Sequence, residues 1–153
     1  MDSDESPTIG DSEEAAWVAR QRQIVIDYLS SQRCEHNGVS LEPRWFVSPY
    51  VAVWAVRSKA NPDAVGWWAI SGDLPTDYMT AAAHLRTHGD VLLAFAKQWR
   101  EAAERMKNGE HLEGYVVGDA SRAMELAPLL QTRAELLQDF GEDLKRDEAA
   151  GEG

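Results

Sequence analysis

A single cysteine, Cys34, stands in this chain of 153 residues. No disulfide can close within it, and a reducing compartment is the expected setting. No stretch approaches the run of about 18 apolar residues that a membrane span needs. The acidic opening MDSDESPTIG lacks the positive charge of a signal peptide. Bases are scarce too, with 15 Lys and Arg against 26 Asp and Glu, for a net charge of −11. That deficit is local. Residues 1–14 hold six acids and no base, and residues 141–153 hold five acids and two bases; the ends carry −6 and −3, which leaves −2 on the 126 residues between them. A body this close to neutral has no basic footprint, so nucleic acid is not an expected partner. Acids gathered at the ends also make a poor nucleic-acid mimic, which needs them ordered on one face. Glycine-rich phosphate loops, nucleophile elbows and zinc-ribbon spacings are missing. These absences predict a cytoplasmic protein with no cofactor, no nucleic-acid partner and no membrane partner, working as a monomer or homodimer.

What is there is a core. The length suits one domain with a sizeable interior, expected over residues 11–146 between disordered acidic tails at 1–10 and 147–153. The segment Trp45–Tyr78 holds four of the six tryptophans. Within it, Tyr50–Arg57 reads as a strand apolar on both faces, hence central and covered on both sides. Asn61-Pro62-Asp63 reads as a turn, and Val65–Ser71 as the antiparallel return of a hairpin. Trp45–Ser48 adds a third strand, with Pro49 at a break or edge. Upstream, Asp11 or Ser12 is expected to cap a helix to Ser31 whose stripe is Trp17, Ile24 and Tyr28, supported by Val25 and Leu29. Cys34–Pro43 reads as a loop around Asn37-Gly38.

Downstream the pattern turns helical. A short helix is expected over Thr76–Thr87, closed by Gly89. Asp90 then caps a second helix carrying Val91, Leu92, Phe95, Trp99 and Met106 up to Asn108-Gly109. Leu112–Val117 reads as a short strand or extended loop, and Ser121–Leu126 as a brief helix. Pro128 takes the first position of a last helix, lined by Leu129, Leu130, Leu136, Leu137 and Phe140 and running to about Arg146. The class is α+β, a small antiparallel sheet of about three strands packed by four to five helices.

Each constellation that could carry chemistry also has a plain structural reading. His84 and His88 sit i, i+4 on an expected helix face, yet Leu85 stands where a metalloprotease needs Glu, and no third ligand is obvious, Asp77 and Asp90 being candidates without support; two surface histidines are the simpler account, and no metal is expected. Cys34 and His36 form a C-x-H triplet without an orienting group, so a structural thiol is favoured, with His36 kept as a binding residue. The run Gly72–Tyr78 is the best candidate. Asp73 and Asp77 could bring two carboxylates together at a junction, with Thr76 and Tyr78 beside them. Equally, Gly72 permits a positive φ, Asp73 or Thr76 can cap, Pro75 stiffens the turn and Tyr78 covers the core. Trp67 and Trp68, adjacent on a strand, point to opposite faces. One fills the core and the other, taken as Trp68, could line a pocket as a stacking surface.

On these residues the chain resembles a family of small uncharacterised proteobacterial proteins, a domain of unknown function. The likeness rests on Trp17, Tyr28, Pro49-Tyr50, Trp54, Gly66-Trp67-Trp68 and GDLPTDY at 72–78, with an echo in ELAPLL at 125–130. It covers roughly residues 14–140 and implies a bacterial cytosolic protein; no activity, cofactor or catalytic residue comes with it. The leading expectation is therefore a non-enzymatic module that binds a protein or small-molecule partner through the 72–78 turn. One alternative is a small enzyme using Asp73, Asp77 and His36 or His84 beside the sheet. Another is an immunity or antitoxin-like protein.

Overall fold

The computed structural model describes residues 9–108 and 123–152 of the chain, with side chains over 12–108 and 127–149. It divides into two compact units, Met1–Met79 and Thr80–Gly153. The first unit holds helix α1 (Ile9–Ser31) and strands β1 (His36–Val39), β2 (Trp45–Val47), β3 (Val51–Ser58) and β4 (Val65–Gly72). Strand β5 (Asp77–Thr80) follows at the boundary, and the second unit is built on α2 (His88–Lys107) and α3 (Ala123–Glu152). The class is α+β, as the residue pattern predicts, with five strands and three helices among the described residues where about three and four to five were expected. Among the described residues no helix is long and apolar enough to cross a membrane.

The sheet forms around β3. Val51 to Val56 are all buried, so both faces of this strand are covered, as a two-faced apolar run requires. Strand β4 pairs antiparallel along one side, from Val51 opposite Gly72 to Val56 opposite Trp67. The other side of β3 is shared. β1 pairs with its far end (His36 with Ser58, Val39 with Val56) and β2 with its near end (Trp45 with Val53, Val47 with Val51). Ser40 and Arg44 continue the ladder in between, their N–H groups donating to Ala55 O at 3.0 Å and Val53 O at 2.8 Å. Thus β1 and β2 are two halves of one edge, with Leu41–Pro43 bulging out of it. β5 completes the order β1-β3-β4-β5.

Asn37-Gly38, read as a loop, lies inside β1. Between His36 and Val39 the register gains a residue, and Gly38 takes φ +116°, which a side chain would strain. The turn signal was a bulge. A second bulge places Gly66 as the extra residue of β4, between the pairs Val56–Trp67 and Arg57–Val65. The hairpin turn at 61–63 closes as expected, with Ser58 N–H on Ala64 O and Ala64 N–H on Asn61 O, both at 2.9 Å.

Helix α1 covers one sheet face. Trp17, Val25 and Leu29 pack with Val39, Ala52, Trp54, Val56 and Ala69, joined by half-buried Phe46, Trp67, Tyr78 and Cys34. Ile24 was placed on that stripe but is exposed, and Gln21 is buried in its stead. At 3.6 residues per turn Ile24 lies about 20° beyond Trp17, at the margin of the face centred on Gln21 and Val25, and there it meets water. Asp11 and Ser12 do not cap the helix, which already begins at Ile9. Its end is well defined. Cys34 N–H bonds Leu29 O and Arg33 N–H bonds Ser30 O, both at 3.0 Å, while Arg33 takes φ 58°. This is a Schellman ending with arginine at the left-handed position that glycine usually fills. Arg22 ties the helix to the sheet edge, donating to Val39 O at 2.9 Å and Ser40 O at 3.0 Å.

Two helical expectations give way. No helix spans Thr76–Thr87: Asp77–Thr80 is strand, because Tyr78 packs into the core and β5 pairs with β4, which overrides the helix propensity of Ala81–Ala83. Helix α2 is capped by Thr87, not Asp90, and Gly89 closes nothing because it lies in the first turn. Thr87 Oγ1 accepts from Asp90 N–H at 3.2 Å and Asp90 Oδ2 accepts from Thr87 N–H at 3.1 Å, a reciprocal box. Burial opposes the charge on Asp90, but the Lys145 ammonium and the Arg86 and Thr87 N–H groups outweigh it and hold the carboxyl below its ordinary range. Helices α2 and α3 run antiparallel, with Asp90 to Lys145 at 2.7 Å near one end and Arg100 to Gln138 at 2.8 Å further along. Pro128 sits inside α3, not at its first position, and α3 continues past Arg146 to Glu152. The expected elements at Leu112–Val117 and over Ser121–Arg122 lie outside the described residues; Ala123–Leu126 belongs to α3.

Two changes test this account. Trp54 is fully buried and donates from Nε1 to Ser71 Oγ at 3.1 Å. Trp54→Ala should cost about 3–5 kcal/mol in denaturant unfolding; an unchanged midpoint would overturn its place in the core. Arg33→Gly should raise stability by about 1 kcal/mol, since glycine adopts the left-handed conformation without the side-chain penalty.

Candidate functional site

The 72–78 turn has an outer and an inner half. Gly72 adopts φ +137°, and a Cβ there would overlap the Tyr50 carbonyl oxygen. That oxygen instead accepts from Asp73 N–H at 2.9 Å, so the start of the turn is closed onto Tyr50. Tyr50 is itself pinned by its N–H on Val47 O at 2.7 Å. Asp73 faces water, Leu74 and Thr76 are half-buried, and Pro75 is buried. Asp77 is only 2% exposed. One turn therefore separates its two carboxylates into different environments.

The inner half forms a cluster under the end of α1. Asp77 Oδ1 accepts from Tyr78 N–H at 2.8 Å, and the Tyr28 hydroxyl also bonds the Asp77 carboxylate. The Tyr28 and Tyr78 rings meet edge to face, 5.9 Å between centroids. Burial, then the Asp77 charge, pushes the Tyr28 phenol far above its ordinary range, so it stays a neutral donor. Tyr78 is raised as well, by burial first and then by nearby Cys34 and Asp77. Burial also raises the Cys34 thiol, which suppresses thiolate and leaves it a poor nucleophile. This cluster holds a buried carboxylate with donors; it does not present one to a substrate.

The other expected site residues are scattered. His36 opens β1 opposite Ser58, whereas Gly72 stands opposite Val51, so His36 and Asp73 lie at opposite ends of β3, about 23 Å apart at strand rise. Its Nδ1 accepts from Gly38 N–H at 2.9 Å, and burial lowers its pKa, so the ring is neutral with its proton on Nε2. Trp67 does join the α1-facing core. Trp68, opposite Ala55 on the other face, is buried with the Arg44 guanidinium 5.7 Å from its ring centroid. Thr76 and Asp73 cap no helix, since none begins there. His84 sits in a turn and His88 opens α2, so they do not share a helix face. Among the described residues no three His, Cys, Asp or Glu side chains gather as a metal site. Sequence reasoning passed over Tyr28, read as stripe, and Tyr50, read as strand. The available signal for Tyr28 was a phenol on an otherwise apolar stripe, which needs a hydroxyl partner once buried.

Asp77→Asn and Tyr28→Phe should each lower unfolding free energy by about 1.5–3 kcal/mol, the scale of a buried hydrogen bond to a charged group. The raised phenol pKa values carry a sign. The fold favours neutral Tyr28 and Tyr78, so this contribution is complete below about pH 10, the unfolded value, and is lost as pH rises above it. Denaturant midpoints measured across that range should fall for the wild type and fall less for Tyr28→Phe.

No curated protein and no solved structure matches the chain. A family model described as "Domain of unknown function (DUF4826)" matches residues 11–146, and the chain belongs to that family.

Proposed function

We propose that the chain is a binding protein that recognises its partner at the outer half of the 72–78 turn, where Asp73 adjoins Tyr50. The observation that carries this reading is Tyr50: the residue is 50% exposed while its backbone is held from both sides. An aromatic ring presented on a fixed backbone offers contact area at low entropic cost, the usual character of an interface anchor. The inner half supports that surface from behind. Asp77 accepts from the Tyr78 N–H and the Tyr28 hydroxyl, which fastens the start of β5 beneath α1.

The enzyme reading finds less support. It needs two carboxylates and a histidine converging on one point. Here Asp77 is sealed against phenol and backbone donors, Asp73 faces water, and His36 stands at the far end of β3.

Affinity capture from a native extract, followed by mass spectrometry, tests the proposal when wild type, Tyr50→Ala and Asp77→Asn are run side by side. Tyr50→Ala should lose the captured partner with a melting temperature within a few degrees of wild type, because its ring is half in water. Asp77→Asn should lower the melting temperature and retain the partner at temperatures where it is folded. A Tyr50→Ala protein that captures everything the wild type does would reject this corner as the binding surface.

A further inference from the structure

We propose that His36 is a proton-sensitive latch on one half of the sheet edge: its neutral ring holds the β1 bulge closed, and protonation of the ring lets β1 loosen from β3. The bulge gives the ring its task. Register passes from His36–Ser58 to Val39–Val56, so Asn37 and Gly38 together face the single residue Arg57 and the ladder breaks there. The Gly38 N–H turns back two residues and donates to His36 Nδ1 at 2.9 Å. The ring thus accepts the bond that steadies the glycine at φ +116°. Beyond the bulge the chain is fastened by Ser40 N–H on Ala55 O at 3.0 Å and by Arg22 on the Val39 and Ser40 carbonyls.

An imidazole nitrogen accepts only while it is unprotonated. A proton on Nδ1 sets two donors, the ring and the Gly38 amide, against each other, and the bond is lost. The ionisable groups at this end of the sheet leave the ring able to respond. Glu35 and Lys59 pair with each other at 3.9 Å. Burial raises the Cys34 thiol and the Tyr78 phenol, so both stay neutral. Arg33 follows α1 and Arg57 is exposed on β3. None of these groups moves the histidine, whose pKa burial alone lowers. The fold therefore favours the neutral ring. Its contribution is complete above about pH 6.5, the unfolded value, and is lost as pH falls through the lower folded value. What yields is the cover over Val56–Ser58 of β3, whose N–H and C=O groups another strand could then reach.

Amide exchange of the full chain, followed by NMR between about pH 8 and pH 5 and expressed relative to the unstructured rate at each pH, tests the latch. Protection of the Gly38 and Ser40 amides should fall about two- to tenfold, the range of one hydrogen bond, at the midpoint where the His36 ring protons titrate. The Arg44 amide, bonded to Val53 O on the β2 half of the edge, should keep its protection. His36→Asn supplies a side-chain oxygen that can accept the same N–H two residues on and does not titrate, so its protection should stay high throughout. His36→Ala should be low at every pH. Ser40 protection that ignores the ring's titration, or that still falls in His36→Asn, would overturn the latch. So would ring nitrogen shifts that place the neutral proton on Nδ1.

Discussion

Burial of β3 on both faces is the constraint from which the first unit follows. Six consecutive residues, Val51–Val56, are removed from water, and a strand in that position has no side on which a polar residue can be placed cheaply. Its ladder must also be satisfied along both edges. β4 does this for one edge over its full length, and β1 and β2 divide the other. The one polar residue that β4 sets opposite this stretch, Ser71, is there with a partner, since its hydroxyl accepts from the Trp54 indole at 3.1 Å. α1 covers the face of Trp54 and ends where it does because Arg33 accepts a strained backbone to turn Cys34 back toward the core.

The 72–78 turn then does two jobs with similar residues. Asp73 and Asp77 are chemically the same and four positions apart, but position decides their roles. Asp73 follows the closure onto Tyr50 and stays in water. Asp77 begins a strand and is carried under α1, where a bare carboxylate would be very costly without the Tyr78 N–H and the Tyr28 hydroxyl. A recognition surface gains from such backing, because rigidity behind an anchor lowers the entropy lost on binding.

Much of the first unit was legible in the residues. The two-faced apolar run at 50–57, the Asn61-Pro62-Asp63 turn and the positive φ of Gly72 are each local signals with one strong physical solution. What was not legible depended on pairing. Asn37-Gly38 carries the same local preference whether it makes a loop or a bulge, and only the β3 edge decides for the bulge. Ala81–Ala83 favours a helix on its own, but the preceding Tyr78 is committed to the core. At the site, Asp77 announced itself as a carboxylate near a turn; that it faces inward follows from Tyr28, some fifty residues earlier, and no spacing rule links the two. His36 illustrates the converse: close in sequence to Cys34, it is directed by β1 to the end of the sheet away from Asp73.

The divided edge of the sheet bears on solubility. A continuous edge strand along β3 would expose about eight backbone steps of unpaired N–H and C=O groups, a ready template for another chain. Here that edge is broken into pieces of four and three residues, with the Leu41–Pro43 excursion between them and a bulge inside the longer piece. Pro43 has no N–H to offer an incoming strand, Arg22 occupies the Val39 and Ser40 carbonyls, and the bulge twists the remainder out of register. The interruption that makes this edge hard to recognise in the residue pattern is also what keeps a second molecule from extending the sheet.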